Sequence, residues 1–218
     1  MDEQVFVYLH GFASSSNAYK GTMLREAFAS HGYHLHTPDL NCPSFERMTY
    51  SAILDELSRL HRSHPGPWFM IGSSMGGYLT ARWAELYPSH VDRMVLLCPA
   101  FDLPGRWEVD YGRELIDNWE QNGFVPIPEE NGEAKKLAWD FIEDARKHPT
   151  HPNPKLPTLI IHGSQDEVVP IESSRSYVQN RAWTSLVEVD DDHGLALSIP
   201  RIESEVFSFF ELNTSYSE

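Results

Sequence analysis

Six short apolar runs, separated by longer amphipathic stretches, constrain this 218-residue chain more than any other feature. The runs fall at residues 5–9, 34–37, 68–71, 94–98, 158–162 and 185–189. Several are continuous Val, Ile, Leu, Met and Phe, as strands buried on both faces must be. Between them, residues 22–30, 49–62, 75–87 and 199–210 place apolar side chains at three- and four-residue spacing, the period of a helix with one buried face. Pro170 suits the first turn of a further helix reaching about residue 180. Strands alternating with helices predict an α/β protein with a mainly parallel sheet flanked by helices. A chain this long can build one core without staples.

Residues 102–156 break that rhythm. Tyr111, Leu115, Ile116 and Trp119, then Ala134, Leu137, Ala138, Phe141, Ile142 and Ala145, have helical spacing, and prolines border both sets. A plain connection of this length is uncommon in a compact domain. The expectation is a single domain over residues 1–218, with a core of 1–101 and 157–218 and a helical cap insertion of 102–156. Trp107, Tyr111, Trp119 and Phe124 are candidates for the cap's apolar underside.

The run at 68–71 leads into Gly72-Ser73-Ser74-Met75-Gly76, which opens the helix at 75–87. Gly-x-Ser-x-Gly between a strand and a helix is the setting of a strained turn that exposes a serine hydroxyl at the sheet edge. The bland alternative is a helix cap by Ser73 or Ser74. A nucleophilic serine needs a base and an orienting acid. His193 follows the last apolar run, and Asp166 follows the run before it. The order Ser74, Asp166, His193 is that of a strand-top hydrolase triad. Glu167 and the acids Asp190, Asp191 and Asp192 are the competing orienters. For the oxyanion, the N–H of Met75 and the N–H of Phe12, after His10-Gly11, are the expected donors.

Together, Leu9-His10-Gly11-Phe12, Gly72-Ser73-Ser74-Met75-Gly76-Gly77, the stretch from His162 to Pro170, and Asp192-His193-Gly194 resemble an α/β-hydrolase. Within that superfamily the chain is similar to the small bacterial YqiA-like esterases. Leu9–Ser15 and Gly72–Tyr78 match their opening and elbow, and Lys20 falls where they often carry a lysine. The resemblance implies hydrolysis of carboxylic esters or thioesters with no metal and no organic cofactor. Other bonds for the same triad, and a catalytically silent binding protein, are the alternatives.

Composition narrows the partners. Seventeen Lys and Arg against 32 Asp and Glu give a formal charge of −15, a field that repels nucleic acid and anionic membrane. A small-molecule ester substrate is expected. The first ten residues lack a secretory pattern, no run approaches the roughly 18 apolar residues of a membrane helix, and the two cysteines form no disulfide scaffold, so the cytoplasm is the expected location. Cys98, in an apolar run, is read as a buried small hydrophobe. The pairs His34/His36, His61/His64 and His148/His151 lack the accompanying ligands of a closed metal site.

Overall fold

The computed structural model describes residues 4–128 and 134–212. In chain order the core runs β1 (Val5–Leu9), α1 (Tyr19–Ser30), β2 (Leu35–His36), α2 (Tyr50–Ser63), β3 (Trp68–Ser73), α3 (Met75–Leu86) and β4 (Val91–Leu97). The segment 102–156 follows, with α4 (Leu103–Tyr111), α5 (Arg113–Asn122), β5 (Phe124–Pro128), β6 (Ala134–Ala138) and α6 (Asp140–Ala145). The core resumes with β7 (Thr158–Gly163), α7 (Ile171–Val178), β8 (Thr184–Val189) and α8 (Ile199–Phe209).

The six core strands form one parallel sheet in the order β2-β1-β3-β4-β7-β8. Alternate strand residues serve opposite faces. Val7, Leu9, Met70, Met94 and Ile160 pack against α2 and α3, with Trp83 at the centre. Phe6, Tyr8, Ile71, Val95 and Ile161 pack against α1 and α8 through Leu24, Phe28, Ile202 and Val206. Both faces of the central strands are therefore dry, which is why β1, β3 and β7 read as largely apolar runs, whereas the edge strand β8 stays partly exposed.

The segment 102–156 departs from the purely helical expectation. Residues 134–138 do not continue a helix. They pair antiparallel with Phe124–Pro128 as a separate two-stranded sheet, and α6 begins only at Asp140. Pro126 and Pro128 lack the N–H of a ladder, which confines them to a strand open on one side. Leu137 satisfied the helical spacing but is buried as a strand residue, its carbonyl accepting from Trp119 Nε1 at 3.0 Å.

This segment shares the core's apolar cluster: Ile116, Trp119, Leu137, Phe141 and Ile142 join the α2–α3 side. Asp144 fastens it to the first turn of α2, accepting from Ser51 N and from Ser51 Oγ, each at 2.8 Å. A carboxylate there satisfies an orphan helix N–H and faces the positive end of the helix dipole.

Parallel strands bring all their C-terminal ends to one edge. Leu9 lies opposite Gly72, Ser73 opposite Leu97, and Gly163 opposite Val189. The loops carrying Phe12, Ser74, Cys98, Asp166 and His193 therefore meet on one side of the sheet, where ligands bind in open α/β folds.

Candidate active site

Ser74 sits between β3 and α3 at φ 54°, ψ −118°, a conformation that side-chain-bearing residues seldom adopt. The turn is closed by Ser74 N donating to Leu97 O at 2.9 Å and Ala100 N donating to Ser74 O at 3.0 Å. It exists because its neighbours are small. A Cβ on Gly76 would strike the carbonyls of Leu9 and His10, and one on Gly72 would strike Gly76 O and Thr80 Oγ1. Ser74 precedes α3 but its side chain makes no cap hydrogen bond. Ser73 is buried in β3. The capping alternative for Ser74 therefore falls away, and its side chain lines a cavity that His193 also lines.

His193 lies just past β8, its Nδ1–H donating to Asp166 Oδ2 at 2.7 Å. The other oxygen, Asp166 Oδ1, accepts from Val168 N at 2.9 Å and Val169 N at 2.7 Å. Burial alone would raise the Asp166 pKa. Hydrogen bonds from His162, His193 and the Val169 N–H, with the charge of His193, outweigh it and hold the carboxyl well below the usual range.

His162, at the end of β7, is fully buried beside it. Its Nε2–H points at Val169 O (2.8 Å) and lies 3.2 Å from Asp166 Oδ2, while Ser174 Oγ donates to Nδ1 at 2.7 Å. The rival acids Asp190, Asp191 and Asp192 are used elsewhere. Asp190 accepts from Gln165, Asp191 from Asp192 N and Ser198 N, and Asp192 from Gly194 N. These bonds shape the turn that presents His193.

The loop after β1 is held by His10. Its Nε2 accepts from Leu40 N at 2.9 Å and its Nδ1–H donates to Gly11 O at 2.8 Å. Gly11 then passes close to Ser74: a Cβ there would lie 3.4 Å from Ser74 Cβ. Among the described residues, the N–H groups of Phe12 and Met75 donate to no protein acceptor.

Lys20, in the first turn of α1, crosses to this site and donates from Nζ to His193 O at 2.9 Å. Burial lowers its pKa, opposed by Cys98 and by the carboxylates of Asp166, Asp192 and Asp191. Only the family resemblance marked this position in the sequence. Cys98 lies just past β4 at φ 43°, fully buried. Burial drives its thiol pKa well above the usual range, so it carries no thiolate nucleophile.

The shared cavity has a volume of about 470 Å³. Phe12, Phe101, Trp107, Tyr111, Trp119 and Val169 are among its walls. Trp107 packs against Phe12, Trp119 and Phe141, with ring centroids 5.1, 5.4 and 5.7 Å apart. Phe124, expected on this underside, lies outside the cavity, exposed beneath Lys136 Nζ, which stands 4.2 Å from its ring centroid. Arg106 and Asp110 on the wall pair with each other at 3.0 Å, and Arg106 also donates to Val168 O at 3.1 Å. That bond ties α4 to the loop holding Asp166.

A family model described as "Uncharacterised protein family (UPF0227)" matches residues 5–210. The chain belongs to this family. As a UPF0227 member with a parallel sheet and a serine elbow, it is an α/β-hydrolase. Est1E from Butyrivibrio proteoclasticus superposes with a TM-score of 0.78 at 19% identity, over 97% of this chain and 88% of that one. The chain is 26% identical to monoacylglycerol lipase ABHD6 of Rattus norvegicus, over 88% of this chain and 71% of that protein. It is 24% identical to the mitochondrial palmitoyl-protein thioesterase ABHD10 of Bos taurus, spanning 77% of this chain and 58% of the bovine protein. These relatives are hydrolases of ester and thioester type. Among the described residues, no helix is long and apolar enough to cross a membrane.

Proposed function

We propose that this UPF0227 member is a serine esterase that works through an acyl-enzyme on Ser74. The observation that carries the reading is the strained, uncapped Ser74 sharing a cavity with His193, whose far nitrogen is held by Asp166 at 2.7 Å. Because Nδ1 carries the proton given to Asp166, Nε2 keeps its lone pair and accepts the Ser74 proton. Ser74 Oγ attacks the ester carbonyl, and the carbonyl oxygen becomes an oxyanion between the N–H groups of Phe12 and Met75. Each such donor typically contributes about 3–4 kcal/mol. The imidazolium returns its proton to the departing alkoxide. Water then repeats the sequence on the acyl-enzyme and releases the acid.

The cavity supports a neutral substrate with a small or medium apolar acyl group. Its walls are aromatic and aliphatic, and its charged pair, Arg106 and Asp110, is internally compensated. With a net charge of −15, a polyanionic acyl carrier is disfavoured. Thioesters are the second reading, favoured by the similarity to the bovine thioesterase. The test is a panel of p-nitrophenyl esters from acetyl to palmitoyl beside matched thioesters. Highest kcat/KM on short or medium oxyesters is expected; a preference for palmitoyl thioesters overturns the substrate reading. Trp107→Ala should shift the preference toward longer chains, changing the long-to-short ratio of kcat/KM at least ~10-fold. An unchanged ratio would place chain-length selection outside α4.

Lys20 is a positioning residue in this account. Its bond to the His193 carbonyl fixes the backbone of the turn that presents the imidazole. Removing a charged hydrogen bond of this kind costs roughly 1.5–3 kcal/mol. Lys20→Met should therefore lower kcat about 10- to 100-fold with little change in KM. Lys20→Arg, which keeps a charged donor at this position, should recover most of the lost kcat. A fall in rate that Lys20→Arg does not recover would reduce Lys20 to a packing role.

A further inference from the structure

Cys98 takes no part in the hydrolytic mechanism, yet the sheet delivers it to the triad. In the strand order β4, β7 and β8 are neighbours. Cys98 follows β4, Asp166 follows β7 and His193 follows β8, so three adjacent strand ends bring a thiol, a carboxylate and an imidazole to one place. Cys98 N donates to Ile161 O at 3.0 Å, which fastens the end of β4 to β7. The residue itself turns at φ 43°, a left-handed conformation that side-chain-bearing residues seldom adopt. One ligand atom each from Cys98, Asp166 and His193 lie within 4.8 Å of one another, the one such grouping of three among the described residues.

We propose that Cys98, Asp166 and His193 form an inhibitory site for a thiophilic divalent metal ion of the zinc class, which reversibly silences hydrolysis. The inhibition rests on the proposed role of His193 as the base; the binding does not. Thiolate sulfur, imidazole nitrogen and carboxylate oxygen are together a zinc donor set, with a fourth position left for water. The sulfur and the nitrogen select this class over calcium or magnesium. In a tetrahedral zinc site the donor atoms stand roughly 3.3–3.6 Å apart, so these three need close by no more than about 1.5 Å. Asp166 Oδ2 and His193 Nδ1 stand 2.7 Å apart around a proton and part slightly to admit the ion. His193 is partly exposed and lines the cavity of about 470 Å³, which gives the ion its way in.

The proton balance explains the inhibition. The Cys98 thiol releases its proton to solvent and binds as thiolate. When the ion takes His193 Nδ1, the imidazole proton moves to Nε2, the atom that must accept from Ser74. When the ion takes Nε2, it occupies that lone pair directly. Either way the base is lost while the imidazole stays neutral. The thiolate and the Asp166 carboxylate together match the charge of a dication. Lys20 is the neighbouring cation, and Asp191 and Asp192 offset it.

Chelator-stripped full-length protein is titrated with Zn²⁺ at neutral pH, with bound metal and p-nitrophenyl ester hydrolysis measured on the same samples. A parallel titration with Co²⁺ reads the ligands by absorption. One equivalent of zinc should abolish hydrolysis, EDTA should restore it, and cobalt should show a thiolate-to-cobalt band. Cys98→Ser, scored against its own metal-free rate, should raise the inhibitory zinc concentration at least ~10-fold and lose the band. Cys98→Ala replaces it if the serine variant does not fold. Cys42→Ser, which removes the other free thiol, should change neither readout. Absence of the thiolate band overturns the proposal, as does inhibition unchanged in a folded Cys98 variant or a band lost in Cys42→Ser. Saturable binding at Cys98 that leaves hydrolysis intact equally overturns it. If the metal-free protein hydrolyses no ester, the esterase reading fails by itself, and the cobalt band with its dependence on Cys98 still decides the metal site.

Discussion

Ser74→Ala should lower kcat for ester hydrolysis on the order of 10⁶-fold and leave thermal stability within about 0.5 kcal/mol of the parent. The kinetic loss is large because serine and histidine act as one unit: without Oγ, nothing forms the covalent intermediate. The stability change is small for a structural reason. Ser74 Oγ caps no helix, and the backbone bonds from Ser74 N to Leu97 O and from Ala100 N to Ser74 O survive the substitution. Steady-state kinetics and a thermal melt on the same preparation check both halves. Turnover within tenfold of the parent would remove Ser74 from the chemistry.

Asp166→Asn should reduce kcat about 10⁴-fold with KM little changed. The amide is nearly isosteric, and its oxygen can still accept from Val168 N and Val169 N. Its NH₂ group, however, would face His193 Nδ1, and two donors cannot share one contact. The imidazole must then keep its proton on Nε2, the nitrogen required to accept from Ser74. The same substitution changes acid stability. The folded-state pKa of Asp166 is depressed, so its stabilisation is fully present above the ordinary carboxylate pKa of about 3.9 and is lost as pH falls through the folded value. The acid limb of kcat/KM above about pH 4 therefore belongs to a base other than Asp166. In Asp166→Asn the pH dependence of stability below pH 4 should flatten. A steep acid loss retained in the variant would assign it to other carboxylates.

The core was legible because its physics is local and repetitive. Strands buried on both faces must be largely apolar, and residues 5–9, 68–71 and 159–161 are; α2 and α8 show their buried faces in their spacing. The candidate site was legible for a related reason. Gly72 and Gly76 mark places where the chain is approached too closely for a Cβ, and Gly11 lets the loop after β1 pass beside Ser74. The segment 102–156 was harder. Ala134, Leu137 and Ala138 satisfied a helical period by accident, and only the pairing across Phe124–Pro128 distinguishes strand from helix there. Long-range polar contacts were invisible for the same reason. Lys20 reaches a carbonyl 173 positions away, and His64 finds β2 rather than its sequence neighbour His61. Such contacts are created by topology, and no window of sequence contains them.

The central claim is that a covalent intermediate forms on Ser74. Incubation with a fluorophosphonate, followed by intact-mass and peptide-mapping spectrometry, tests it most directly. The account predicts a single adduct on Ser74, abolished by Ser74→Ala and strongly slowed by His193→Ala. An adduct on Ser73 or another residue, or hydrolytic activity with no adduct at any serine, would contradict it.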